Sequence, residues 1–214
     1  MLKYLAQVHA LSVDFTHLLS EALGLPPTEL DQFYDTPENM QHWSKIVKYP
    51  SLDDEKLSSN QGVGPHFDSG FLTFLLQASN HPGLQVQNLS GQWIDAPPIP
   101  NTFVINIGKG LEAATKGLAK ATSHRVLSPP KGSTPRYSVP FFQNIAQSVR
   151  VTEHNLECTL LDDDCHEMFL IPPHCLVPLE IVALKEKRGN AAEMDCETFS
   201  PTSVKSDADD VIQL

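Results

Sequence analysis

"GVGPHFDSGFLTFLLQ", residues 62–77, sets a histidine and an aspartate two positions apart, His66 and Asp68, between a glycine-proline turn and an apolar run. Successive side chains on a strand point to opposite faces. The two therefore project the same way, roughly 7 Å apart along the backbone. A neutral imidazole and a carboxylate so placed can occupy neighbouring vertices of one coordination sphere. The third ligand is expected from a strand distant in sequence but adjacent in a sheet. His124, in "KATSHRVL" (120–127), fits that position.

Two histidines and one carboxylate on one face of an octahedron leave the opposite face open, an arrangement typical of non-haem Fe(II) oxygenases. A second spaced pair follows His124. Arg136 and Ser138, in "PRYSVPFF" (135–142), share a strand face and offer a guanidinium fork and a hydroxyl to a carboxylate. An arginine among apolar strands needs an anionic partner, because an unpaired buried charge is costly. A dicarboxylate co-substrate would supply one, with one end on the iron and the other on Arg136 and Ser138.

The chain of 214 residues suits one domain, able to bury roughly two-thirds to three-quarters of its unfolded surface. Its net charge of −11 argues against a nucleic-acid surface, which needs clustered Lys and Arg. No apolar run approaches the ~18 residues of a membrane span. The interrupted start "MLKYLAQVHALSVDFTHLL" does not read as a signal peptide, so a cytoplasmic location is expected. Cys158, Cys165, Cys175 and Cys196 match no paired zinc spacing and are expected to be reduced there. Cys165-His166 with His174-Cys175 is a weaker second metal candidate.

Residues 1–41 read as a helical N-terminal support. Its apolar stripe runs from Leu2 to Leu23 through Leu5, Val8, Phe15 and Leu19, and Gly24 and Pro26 end the helix. Residues 42–146 change texture to short apolar segments punctuated by Pro and Gly, among them "HWSKIVKYP", "GLQVQN", "GQWIDAP" and "TFVINIG". Seven or more short strands at this spacing predict a mainly β fold, a double-sheet jelly roll with flanking helices. "NLSGQW" reads as a hairpin turn. Residues 147–190 form a C-terminal extension with a short helical pattern in "CLVPLEIVALKEKRGN", and 191–214 read as an acidic, disordered tail.

Taken together, "GVGPHFDSGFLTFLLQ", "GLQVQNLSGQWIDAPPIPNTFVINIG", "ATSHRVLSPP" and "PRYSVPFF" resemble the isopenicillin N synthase-like branch of the Fe(II)/2-oxoglutarate-dependent dioxygenases, over about residues 42–145. The resemblance implies a double-stranded β-helix with iron on His66, Asp68 and His124. It implies 2-oxoglutarate on Arg136 and Ser138, joined by Tyr49 of "VKYP", and pocket-lining or supporting places for Phe67, Leu75 and Phe142. Leu84 and Trp93 are assigned to the core. By that likeness the protein oxidises a small-molecule metabolite with dioxygen, by hydroxylation, desaturation or cyclisation, in secondary metabolism, with ascorbate as reductant in vitro.

The chain departs from the family pattern at four places, the first being that the C-terminal helix that commonly covers the active site has no clear counterpart. Val47 stands where many members carry an asparagine, and Lys109-Gly110 replaces an acidic-apolar pair in what reads as a loop near the mouth. The chain also begins where the family's N-terminal segment would end, which predicts a protein partner or self-association. Two other readings remain: a catalytically compromised barrel that binds metal and a partner, and an iron oxidase that does not use 2-oxoglutarate.

Overall fold

A computed structural model describes residues 1–52, 61–154, 156–158 and 211–213. Alternation along one strand organises the molecule. In β4 (Leu72–Gln77), Leu72 and Phe74 turn toward a helix while Thr73, Leu75 and Gln77 turn inward. β7 (Phe103–Ile107) does the same, sending Phe103, Ile105 and Ile107 outward and Val104 and Asn106 inward. β9 (Arg136–Gln143) sends Phe141 and Gln143 to the helix side and Arg136 and Ser138 to the interior.

These strands form the larger sheet, in the order β10–β1–β9–β4–β7, with β1 (Trp43–Lys45), β10 (Val211–Gln213) and β2 (Val47–Tyr49), which pairs separately with β9. The smaller sheet runs β3–β8–β5–β6, from β3 (Gln61–His66), β8 (His124–Leu127), β5 (Leu84–Gln87) and β6 (Trp93–Asp95). Every pairing among the described residues is antiparallel. The two inner faces meet in one apolar cluster: Tyr49, Leu75 and Val104 from the larger sheet pack with Leu84, Val126 and Val63 from the smaller. Two antiparallel sheets joined this way are the jelly-roll arrangement expected from the strand spacing.

The outer face of the larger sheet is covered by α1 (Leu2–Ala22). Leu5, Val8 and Leu19 pack with Phe74 and Phe141, and Phe15 meets Phe74 edge-on at 5.7 Å between ring centroids. Gly24, at φ 72°, ends the helix as expected; its N–H and that of Leu25 return to the Glu21 and Ser20 carbonyls. The buried stripe is more polar than the apolar spacing predicts. Ser12, Thr16 and Ser20 are buried, and Leu2 is 77% exposed. Gln143 explains the difference at Thr16, because its buried amide donates to the Thr16 hydroxyl at 3.0 Å.

The predicted hairpin forms between β5 and β6, closed at Asn88–Gly91 with Gly91 at φ 83°. Three expectations are corrected. Lys109 and Gly110 are not in a loop but open a short helix, α2 (Lys109–Ala114). Trp93 is only half-buried and lies under the Arg125 guanidinium, 4.2 Å from its ring centroid. Val211–Gln213, read as tail, pairs antiparallel with β1. The helical pattern at 175–190 and the Cys165–Cys175 metal candidate lie outside the described residues.

Candidate metal centre

β3 and β8 are antiparallel neighbours, and their register makes His66 and His124 direct partners. The imidazole centroids stand 4.2 Å apart. Irregular steps in the β3–β8 ladder between Gln61 and His66 re-aim the end of β3, as bulges do near functional sites. Asp68 is not on the strand, contrary to the simple alternation argument. It lies just beyond, in a turn pinned by α2: the Lys109 N–H donates to the Asp68 carbonyl at 2.8 Å, and the Gly110 N–H donates to the Gly70 carbonyl at 3.0 Å. The turn still delivers the carboxylate, with Oδ1 3.8 Å from both His66 Nε2 and His124 Nε2. The ligand atoms of the three residues all lie within 4.8 Å of one another.

Each imidazole is set up to coordinate through Nε2. His66 Nδ1 lies 2.9 Å from the Gly64 carbonyl, and His124 Nδ1 lies 3.1 Å from the Thr122 carbonyl. A carbonyl only accepts, so each Nδ1 carries the proton and each Nε2 keeps its lone pair. Burial also pushes the His124 pKa below its ordinary value, favouring the neutral ring that a metal needs.

Asp68 Oδ2 is occupied differently. It accepts from the Thr73 hydroxyl at 2.5 Å and from the Asn106 amide at 2.8 Å. Neither residue is singled out by its spacing. Their signal is a polar side chain at an inward position of an otherwise apolar strand, which is costly unless it has a partner.

Farther along the inner face, Arg136 is fully buried. Its Nη2 donates to Gln77 Oε1 at 2.9 Å, and the Tyr49 ring lies 5.0 Å from the guanidinium carbon. Gln77 is held in turn by donating to the Ala96 carbonyl at 3.1 Å. Arg136 Nε and Nη1 have no hydrogen-bond partner among the described residues, and no carboxylate there forms an ion pair with it. Burial works against its charge, while Tyr49 supports it. Ser138 is buried two residues on, and the Tyr49–Arg136 and Val47–Ser138 pairs are in register across β2 and β9.

Phe67 does not line this interior. It is 47% exposed, with Lys109 Nζ 4.3 Å from its ring centroid. Phe142, on the same face of β9 as Arg136 and Ser138 and paired with Thr73 of β4, stacks on Trp43 at 4.5 Å, and Leu75 and Leu84 belong to the inner apolar cluster.

Two imidazoles and one carboxylate oxygen converging inside a jelly roll form a candidate mononuclear metal site that would leave positions open on a bound ion. A buried guanidinium with unmet donors lies in the same barrel and is a candidate carboxylate partner. The donor set suits ferrous iron, and the unmet donors suit a keto acid with a distal carboxylate. The chain belongs to the 2OG-Fe(II) oxygenase superfamily, whose family model matches residues 39–145. It is 49% identical over 144 residues to the 2-oxoglutarate-dependent dioxygenase frbJ of Dothideomycetidae sp. (strain 11243), covering 67% of this chain and 39% of the relative. It is 35% identical over 179 residues to a 2-oxoglutarate-dependent dioxygenase of Gibberella zeae, covering 79% and 45%. A full-length Neurospora crassa protein crystallised in complex with alpha-KG superposes with a TM-score of 0.60 at 32% identity, over 69% of this chain and 46% of that one. The chain spans less than half the length of each of these relatives. No helix among the described residues is long and apolar enough to cross a membrane.

Proposed function

We propose that this chain is the catalytic barrel of an Fe(II)- and 2-oxoglutarate-dependent oxygenase that oxidises a small-molecule metabolite. One observation carries the reading. The three-ligand cluster of His66, Asp68 and His124 shares a barrel interior with a fully buried Arg136 that has two unmet donors. In this reading His66, Asp68 and His124 hold the iron, while Arg136 and Ser138, flanked by Tyr49, hold the distal carboxylate of 2-oxoglutarate. The bound iron and keto acid supply the oxidising chemistry, consuming dioxygen and releasing carbon dioxide and succinate.

The protein's own contribution is position and exclusion of water. The Gly64 and Thr122 carbonyls fix the tautomers of the two imidazoles. Gln77 and Tyr49 hold the guanidinium without neutralising it, so its charge is left for the co-substrate. Leu75, Leu84 and Val126 form an apolar wall between the sheets, which strengthens ionic contacts inside it. The unmet donors of Arg136 support a dicarboxylate co-substrate over an oxidase working with iron alone. The fungal relatives support a place in secondary metabolism, and we assign the protein to the cytoplasm.

The test uses the purified chain with Fe(II), ascorbate and 2-oxoglutarate. One iron per chain and slow succinate release without added substrate are expected. Absence of both iron binding and succinate release would overturn the reading.

A further inference from the structure

We propose that Thr73 and Asn106 are positioning residues that hold Asp68 to a single coordinating oxygen and thereby keep one metal position open for dioxygen. The proposal deepens the iron-centre reading and rests on it.

The two oxygens of Asp68 have separate tasks. Oδ1 lies 3.8 Å from each of the two Nε2 atoms, on the side where the ligands converge. Oδ2 is turned toward the larger sheet and takes two donors, Thr73 Oγ1 and Asn106 Nδ2. A carboxylate only accepts, so it is the amide nitrogen of Asn106 that faces it. Thr73 and Asn106 are direct partners in the β4–β7 ladder, so their side chains rise together from the same inner face. The two histidines come from the smaller sheet. Asp68 therefore spans the two sheets, with one oxygen given to each.

An oxygen that accepts two short hydrogen bonds has its lone pairs engaged and is a poor metal donor. In an octahedral ion, two imidazoles and one carboxylate oxygen leave three positions. A chelating keto acid would take two of them and leave one. Were Asp68 to rotate and bind through both oxygens, that last position would be filled. Neither Thr73 nor Asn106 touches the metal; each acts through Asp68, as outer partners of metal-bound carboxylates do.

The wild-type chain, Thr73→Val, Asn106→Leu and the conservative Thr73→Ser would be compared. Fe(II) affinity would be read by chelator competition and coordination by the visible spectrum of the Co(II)-loaded protein. Thr73→Val and Asn106→Leu are each expected to weaken Fe(II) binding by about 10- to 100-fold and to change the Co(II) spectrum toward higher coordination. Thr73→Ser should restore both. Thermal melting of the metal-free proteins would separate a fold effect from a ligand effect, and if Thr73→Val does not fold, Asn106→Leu carries the comparison. Wild-type affinity and a wild-type Co(II) spectrum in Asn106→Leu would overturn the proposal while leaving the iron centre standing. Failure of the wild-type chain to bind iron would instead overturn the centre and, with it, this inference.

Discussion

His66 and His124 face each other as direct partners of the antiparallel β3–β8 pair, with imidazole centroids 4.2 Å apart. A metal bound there would tie β3, an edge strand of the smaller sheet, to β8, its neighbour from far along the sequence. Metal affinity and strand pairing are therefore linked.

His124→Ala should abolish stoichiometric iron binding. Its ring is buried and its Nδ1 is committed to the Thr122 carbonyl, so the substitution removes the Nε2 aimed at the cluster. Elemental analysis after loading with Fe(II) reads the loss. Circular dichroism should show the β fold retained, because removing one imidazole leaves the backbone ladder intact.

Arg136→Ala should leave iron binding unchanged and raise the 2-oxoglutarate requirement by about 10- to 100-fold, the value of a hydrogen-bonded charge. Gln77→Glu should do the same by a different route. It gives Arg136 an internal anion and removes the charge left for the co-substrate. Succinate release against 2-oxoglutarate concentration reads both, and an unchanged requirement in Arg136→Ala would refute the assignment.

His42 makes stability depend on pH. It is buried, and its Nδ1 accepts the Asn144 N–H at 3.2 Å; burial, with the His9 ring 5.1 Å away, lowers its pKa to about 4. The unfolded chain takes up this proton near pH 6.5, the folded chain only near 4. The stabilisation is therefore complete above pH 6.5 and is lost as pH falls toward 4, with an upper bound of roughly 3 kcal/mol. Urea unfolding across that window should show the decline, and His42→Gln should flatten it.

Gly108→Ala should destabilise the protein by about 1–3 kcal/mol and weaken metal binding. A Cβ at Gly108 would run into the Gly70 carbonyl oxygen and approach the Asp68 carbonyl at 3.1 Å. The turn that carries Asp68 would have to move. Denaturant midpoints together with Fe(II) affinity test this, and a variant altered in neither would show the turn to be softer than its packing indicates.

Much of the fold was legible because β-strand alternation is local. The inward set of Leu75, Arg136 and Ser138 and the outward set of Phe74 and Phe141 follow from a period of two, whatever strand lies alongside. The end of α1 at Gly24 and the Asn88–Gly91 hairpin were legible for the same reason, since each is a property of a few consecutive residues. Trp93, Phe67 and the polar face of α1 were not. Their burial depends on what packs above them, and Arg125, Lys109 and Gln143 come from elsewhere in the chain.

The sequence by itself determined the candidate site residues and their order: His66, Asp68 and His124, then Arg136 and Ser138. Tertiary structure decided how they are used. Strand register made His66 and His124 opposite partners, and the α2 turn carried Asp68 to them from beyond the end of its strand. Pairing of β4 with β7 brought Thr73 and Asn106 to the second oxygen of Asp68, and packing left Arg136 with two donors unmet. Side-chain types are fixed one residue at a time. Hydrogen-bond partners and burial exist only once strands distant in sequence have closed into a barrel.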